Sequence, residues 1–88
     1  MATQIVNLER MEQVVSVFGS FDENMRIIER EFGISVVNRG TELKISGEPD
    51  QVMLAAKAVE NLASLASRGE HIEEQNVRYV IGMVREGH

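Results

Sequence analysis

The stretch Phe18-Gly19-Ser20-Phe21-Asp22-Glu23-Asn24-Met25 predicts a tight turn between two consecutive helices. Apolar residues recur at 11, 14, 15 and 18 before it and at 25, 28 and 32 after it, which is the spacing of one helical face. Gly19 suits the positive φ that ends a helix, and the Asp22 carboxylate is placed to accept from the first free N–H groups of the next. Such free N–H groups are also where a helix can receive a phosphate.

Length and composition bound the class of protein. The chain has 88 residues, 43% of them hydrophobic and 26% charged, which fits one soluble domain with a core just large enough to fold alone. It has no cysteine, which excludes a disulfide framework and a thiolate zinc site. The N-terminus lacks the features of a signal peptide and no window is long enough to span a membrane, so we expect a cytoplasmic protein with no membrane partner. The net charge of −5 argues against general binding of polyanions.

Hydrophobic periodicity and turn residues predict the other elements. Residues 11–18 also have strand propensity, but their spacing favours a helix. Gly33 and Arg68-Gly69 end helices, Pro49 suits a first helical turn, and Asn38-Arg39-Gly40-Thr41 suits a hairpin turn. The predicted elements are a strand over 3–8, helices over 11–18 and 22–32, strands over 34–38 and 42–46, a helix from Pro49 to about residue 67, and a helix over 73–85.

The third predicted helix has the most regular apolar stripe, and its small residues would let it lie close to a sheet. The stripe consists of Val52, Ala55, Ala56, Val59, Leu62, Ala63 and Ala66. Met53, Leu54 and Leu65 lie outside it, which indicates either a second buried face or a protein interface. Tyr79 lies one residue off the stripe of the last helix, where it is either an exposed anchor for another domain or edge packing.

Residues suited to catalysis are few. His71 and His88 are the only imidazoles, and there is no cysteine to accompany them. Glu73 and Glu74 are better explained as negative charges at the start of a helix. A phosphate-cradling lysine motif is absent from the sequence. We therefore expect no catalytic residue, no metal site and no cofactor in this chain.

Residues suited to nucleic acid cluster around the first turn. Arg26 and Arg30 are four apart and share one helical face, while Arg39 and Lys44 fall around the hairpin turn. The alternative is that all four are solvated surface cations, which is the commoner state of charged side chains. Phe21 is either a platform on which a base stacks or a plug folded over the core, and we favour the plug because no second aromatic accompanies it.

The order strand, helix, helix, strand, strand, helix resembles the type I K homology (KH) fold. This resemblance implies an α+β domain, β-α-α-β-β-α plus a C-terminal helix, with a three-stranded antiparallel sheet of order 1-3-2 and the helices on one face. In that family a GXXG loop clamps the backbone of about four nucleotides. Gly19 stands at the first glycine position and Asp22 at the second, where its carboxylate repels an approaching phosphate. The segments that carry the resemblance are 18–25, Ile28-Glu29-Arg30-Glu31-Phe32-Gly33-Ile34 and Gly40-Thr41-Glu42-Leu43-Lys44-Ile45-Ser46-Gly47.

More closely, the chain is similar to the N-terminal domain of PhoH-like ATPases. The resemblance implies a KH-like domain over residues 1–70, with 71–88 forming a C-terminal helix and the start of a linker to a P-loop ATPase domain that this chain does not contain. ATP would be bound by that missing domain, and the parent would act in RNA metabolism. The pieces that carry it are Phe18-Gly19-Ser20-Phe21-Asp22-Glu23-Asn24, Arg39-Gly40-Thr41-Glu42-Leu43, Ile45-Ser46-Gly47, Arg68-Gly69-Glu70 and Val77-Arg78-Tyr79-Val80-Ile81.

Two functions are therefore expected as alternatives. The first is a non-catalytic accessory domain of a PhoH-like protein that contacts RNA or an RNA-processing partner through a degenerate GXXG loop. Its predicted contact residues are Gly19, Ser20, Phe21, Asp22, Arg26, Arg30, Arg39 and Lys44. The second is a protein-interaction or homo-oligomerisation module without RNA binding. Its predicted contact residues are Met53, Leu54, Leu65 and Tyr79.

Overall fold

The computed structural model describes residues 1–87 and has the predicted order of elements. Residues 11–18 are helical, so the helix that their spacing favoured over a strand is confirmed. His88 lies outside the described residues. The elements are β1 (Ala2–Asn7), α1 (Met11–Phe18), a 3-10 turn (Ser20–Asp22), α2 (Glu23–Phe32), β2 (Ser35–Arg39), β3 (Glu42–Gly47), α3 (Pro49–Ser67) and α4 (Glu74–Arg85).

The three strands form an antiparallel sheet of order β1-β3-β2, which confirms the predicted α+β architecture of KH type I. Leu43 and Ile45 in the central strand are fully buried, and Lys44 between them is exposed. Because side chains alternate across a strand, Lys44 lies on the outer face of the sheet, level with Ile5 and Val37 of the two edge strands. Both of these side chains are exposed, so the helices cover only the opposite face.

Helix α3 lies at the centre of the domain and contacts β1, β3 and the three other helices. Its predicted stripe is buried except for Ala66, which is partly buried, and the small side chains of Ala55, Ala56 and Ala63 allow the close approach that the sequence predicted. Pro49 occupies the first turn, where its missing N–H leaves no hydrogen bond unmade. Within residues 1–87, no helix is both long and apolar enough to span a membrane.

Helix α4 packs into the same core and is fastened to α2 at the surface. Its apolar face is buried, together with Ile72 just before it. The Arg85 guanidinium lies 3.2 Å from the Glu31 carboxylate and 5.0 Å from the centre of the Phe32 ring. Arg78 lies 3.8 Å from Glu31 on the same side. A hydrogen bond from Arg78 to Glu74 raises the pKa of the guanidinium.

The first strand begins and ends one residue earlier than the predicted range of 3–8, whereas the first helix has the predicted bounds. Leu8 lies just beyond β1, although its side chain is buried, and its N–H donates to the Thr41 carbonyl at 2.9 Å. Buried Gln13 then closes the turn, because its Oε1 accepts from the Glu9 and Arg10 N–H groups and its Nε2 donates to the Ala63 carbonyl of α3. These hydrogen bonds fix the N-terminal end of α1 against α3, which in turn fixes the direction in which α1 enters the loop at its other end.

Candidate nucleic-acid interface

The loop between α1 and α2 has an unusual backbone. Gly19 has φ 78°, as predicted for the residue that ends α1, and its N–H donates to the Val15 carbonyl at 3.0 Å. Phe21 and Asp22 follow with φ of 54° and 59°, in the left-handed region that favours glycine. Two consecutive non-glycine residues in this region each cost about 1 kcal/mol or more. The surrounding contacts must therefore hold the loop in this shape.

The predicted helix cap by Asp22 is wrong. Asp22 precedes α2 directly, but its carboxylate makes no capping hydrogen bond. A capping residue ordinarily has extended φ and ψ, which turn its side chain back over the first N–H groups. The left-handed backbone of Asp22 does not allow this, so the exposed carboxylate adds negative charge at the loop without capping α2.

Asn24 is a buried polar residue that the sequence analysis did not single out. Its side chain is only 2% exposed, and its Nδ2 donates to the Ile72 carbonyl at 3.2 Å. A Cβ built on Gly19 would lie 2.6 Å from that same Nδ2, so the glycine is required for space as well as for its φ. Asn24 stands three and four residues before Ile27 and Ile28, and this helical spacing was the available signal that its side chain faces the core.

A shallow groove of about 180 Å³ runs between α1, the loop and the edge strand β2. Its lining is mainly apolar on the α1 side and polar at the loop and the strand. The lining residues are Val14, Val15, Phe18, Gly19, Asp22 and Asn38. A narrow surface with an apolar wall and a polar rim suits an extended chain such as a single strand of nucleic acid.

The structure separates the four cations that the sequence grouped together. Arg26 is exposed in the turn of α2 next to the loop, and Arg30 is exposed one turn further along, in the last turn of the helix. Arg39 ends β2, next to the Asn38 that lines the groove. Lys44 lies on the outer face of the sheet, on the opposite side from α2, because its neighbours in β3 are buried under the helices. Of these cations, Arg26 therefore lies next to the loop along the chain, Arg30 lies one helical turn beyond Arg26, and Lys44 lies on a different face of the domain.

Arg26 and Arg30 are available to a ligand. Within residues 1–87, neither forms an ion pair or a side-chain hydrogen bond, whereas Arg68, Arg78 and Arg85 are all paired with glutamates. A guanidinium without a carboxylate partner can bind a phosphate without first breaking a pair.

The favoured interpretation of Phe21 as a plug over the core is wrong. The side chain is 87% exposed at the tip of the loop, beside the exposed Ser20. The core behind the loop is already filled by Val17, Met25 and Ile28, which are almost completely buried, and this leaves no space for another ring. The alternative that the sequence left open, an aromatic platform for stacking, fits this position.

The four predicted interface residues fall into two groups. Leu54 and Leu65 are partly buried and pack against the core, so they extend the buried face of α3. Met53 is half-exposed and Tyr79 is 71% exposed, so these two present apolar surface to solvent. Within the described part of the chain, no group of three or more acidic or histidine side chains is placed to hold a metal ion, and His71 is exposed.

Comparisons with known proteins give relatives and structural neighbours, although no family model matches the chain. It is 35% identical over 71 residues to a PhoH-like protein of Mycobacterium leprae, which covers 81% of this chain and 20% of that protein. It is 26% identical over 78 residues to a PhoH-like protein of Bacillus subtilis, which covers 89% and 24% respectively. The chain thus spans about a fifth to a quarter of the length of the curated relatives that it matches.

The structural neighbours are KH-fold proteins. Dim2p from Pyrococcus horikoshii superposes with a TM-score of 0.72 at 25% identity, covering 90% of this chain and 47% of that one. A chain in the crystal structure of the a/eIF2alpha–aDim2p–rRNA complex from the same organism superposes with a TM-score of 0.73 at 26% identity, covering 97% and 48%. The chain is therefore related in sequence to a segment of PhoH-like proteins, and its fold is of the KH type, which is non-catalytic.

Proposed function

We propose that this chain is a non-catalytic accessory domain through which a PhoH-like protein contacts single-stranded RNA. The observation that carries the proposal is the arrangement at the loop. Phe21 is exposed at the tip, and Arg26 and Arg30 follow on the next two turns of α2 without partners among residues 1–87. An exposed aromatic beside free arginines combines base stacking with phosphate contact, the usual means of binding single strands.

Two further observations support the proposal. A structural neighbour of this fold comes from a complex that contains rRNA. The φ of 59° at Asp22 also gives this position a backbone suited to glycine, which the resemblance to the KH family places there. The net charge of −5 opposes binding, so affinity must come from the local arginines and must fall steeply with salt. We propose Gly19, Ser20, Phe21, Arg26 and Arg30 as the main contacts, with Arg39 at the edge of the groove.

The test is fluorescence anisotropy of a labelled single-stranded oligoribonucleotide titrated with the 88-residue chain at low and at physiological salt. The proposal predicts saturable binding at low salt that weakens as salt is raised. A duplex DNA with half as many base pairs as the RNA has nucleotides serves as the control, because it carries about the same number of phosphates but offers no unstacked bases. An absence of binding to RNA at low salt would contradict the proposed function.

Replacing Asp22 with glycine is expected to raise both stability and RNA affinity. Glycine adopts the left-handed backbone without strain, which stabilises the fold by up to about 1 kcal/mol. Loss of a carboxylate close to a bound phosphate removes a repulsion of about 1 kcal/mol, or roughly fivefold in affinity. Chemical denaturation and anisotropy measure the two effects.

Asp22→Asn separates these two contributions, because it removes the charge and keeps the side chain. Asp50→Asn in the first turn of α3 is the control for net charge alone. Equal affinity gains from Asp22→Asn and Asp50→Asn would show that the loop carboxylate has no special position relative to the RNA.

Replacing Phe21 with alanine is expected to weaken RNA binding without lowering stability. Stacking of one base on an aromatic side chain contributes about 1–3 kcal/mol by alanine substitution. The ring is 87% exposed, so its removal takes no packing from the core. The measurements are anisotropy and the thermal midpoint. Tyr79→Ala is the matched control, since it also removes an exposed ring, and it should leave RNA affinity unchanged.

A second candidate function is a module that binds protein or associates with itself. The observation that favours it is the apolar surface of Met53 and Tyr79, which α3 and α4 leave exposed. This alternative predicts concentration-dependent sedimentation and no retention of RNA.

In either case we propose that the partner in the parent is its P-loop ATPase domain, with ATP bound there and the protein in the cytoplasm. The division of the chain into a KH-like domain over residues 1–70 and a C-terminal helix with the start of a linker over 71–88 is part of the same proposal.

A further inference from the structure

We propose that helix α4 controls the conformation of the loop over residues 19–22 through the side chain of Asn24. This inference rests on the proposed function in one respect, because the loop is the proposed RNA contact. The inference concerns a contact between Asn24, next to the loop, and Ile72, just before α4, which are 48 residues apart in sequence. Displacement of α4 would then change RNA binding without touching any residue that contacts RNA.

The first step is that Asn24 holds the loop from behind. The Gly19 backbone lies so close to Asn24 that an added Cβ would meet its Nδ2 at 2.6 Å and its Cγ at 2.8 Å. Because Phe21 and Asp22 both have strained backbones, the loop keeps its shape only while such contacts hold it. Within the loop itself, the Asp22 N–H donates to the Gly19 carbonyl at 3.1 Å, so the position of Gly19 fixes that of Asp22.

The second step is that α4 holds Asn24. The Nδ2 donates to the carbonyl of Ile72, which is itself buried and lies two residues before the first residue of α4. Among residues 1–87, this is the only hydrogen bond that joins residues 19–24 to residues 70–76. An open groove of about 480 Å³ separates the rest of the loop from the start of α4 and is lined by Ser20, Glu23, Glu73 and Glu74 among others. The connection between the two segments therefore depends largely on one side chain.

The third step is that the C-terminal end of α4 is held by contacts that can be weakened without changing the Asn24–Ile72 hydrogen bond directly. Arg78 and Arg85 meet Glu31 of α2, and all three side chains are substantially exposed. Exposed ion pairs contribute little to stability, about 0–1 kcal/mol, so most of the docking of α4 comes from its buried apolar face. Val84 at the far end of that face is buried and uncharged, which makes it a site for loosening α4 without changing any charge near the loop.

The experiment measures amide hydrogen exchange of Asp22 and RNA affinity in the whole 88-residue chain. Asn24→Ala should speed exchange at Asp22 about fivefold, the effect of losing one hydrogen bond, and weaken RNA binding about threefold because the loop must then be ordered on binding. Val84→Ala should likewise speed amide exchange at Asp22 and weaken RNA binding. Val6→Ala in β1 is the control, because it truncates an equally buried valine in an element that does not touch the loop.

Amide hydrogen exchange in a loop occurs by local opening and depends little on the stability of the whole domain. The Val6→Ala control therefore separates coupling between α4 and the loop from general destabilisation. Equal exchange at Asp22 in Val84→Ala and Val6→Ala would overturn the inference, even if Asn24→Ala fails to fold. The two hypotheses fail in different ways. If the proposed function is wrong, the unmodified chain binds no RNA. The exchange measurement tests the coupling of α4 to the loop whether or not RNA binds.

Discussion

Replacing both Arg26 and Arg30 with glutamate is expected to lower the affinity for single-stranded RNA about tenfold or more at low salt. Both side chains are exposed on α2, Arg26 in the turn next to the loop and Arg30 one turn further along, and neither has an ion-pair partner within residues 1–87. If each contacts one phosphate, the slope of log affinity against log salt should become shallower by about 1.4, since each contact to a single strand contributes about 0.7. Anisotropy titrations at several salt concentrations measure both quantities.

A double substitution elsewhere on the surface, Lys57→Glu in α3 with Arg68→Glu just after it, is the control for net charge in this experiment. It changes the net charge by the same amount, and both residues are exposed on or just after a helix that does not line the groove. The account requires the α2 double variant to lose much more affinity than the α3 double variant. Equal losses would mean that only net charge matters, and the loop would then have no privileged part in binding.

Replacing Gly19 with alanine is expected to destabilise the domain by about 2–4 kcal/mol. Alanine at φ 78° is strained by about 1 kcal/mol or more, and its Cβ would meet the buried amide of Asn24 at 2.6 Å. Moving Asn24 away breaks its hydrogen bond to Ile72 and leaves a buried carbonyl unpaired, at a cost of about 1–3 kcal/mol. Urea denaturation of the two proteins measures the difference.

Gly40 provides the control for Gly19, because it has a similar φ of 61° in the hairpin turn but no atom within 4 Å of an added Cβ. Gly40→Ala should therefore cost only the backbone strain, about 1 kcal/mol. The excess cost at Gly19 isolates the contact with Asn24. If the two substitutions cost the same, the loop does not depend on Asn24, and the proposed coupling to α4 loses its basis.

The elements were predictable where periodicity and turn residues agreed. The stripe of α3 and the glycine turn between β2 and β3 have strong local signals, and the structure places both where the sequence predicted. The strand order 1-3-2 was predicted from the resemblance to the KH fold, because local sequence patterns do not determine that β1 pairs with β3.

The details of the candidate site were less predictable, because they depend on backbone conformation and on contacts distant in sequence. Aspartate is a residue type that commonly caps helices, but the left-handed backbone of Asp22 turns its carboxylate away from the first N–H groups of α2. Phe21 would pack inward by hydrophobicity alone, but the core behind it is full. Lys44 is separated from Arg26 by the pleat of the sheet, which assigns alternate residues to opposite faces. Asn24 bonds a carbonyl 48 residues away, and no local pattern specifies such a partner.

The account depends on RNA binding at the loop between α1 and α2, and an NMR titration of the isotopically labelled chain with a short single-stranded RNA tests this directly. We predict that the shift changes centre on residues 19–26, extend to Arg30 and Asn38, and include the backbone amides of Asp22 and Glu23. Shift changes confined to the surface around Met53 and Tyr79, or no shift changes at low salt, would contradict it.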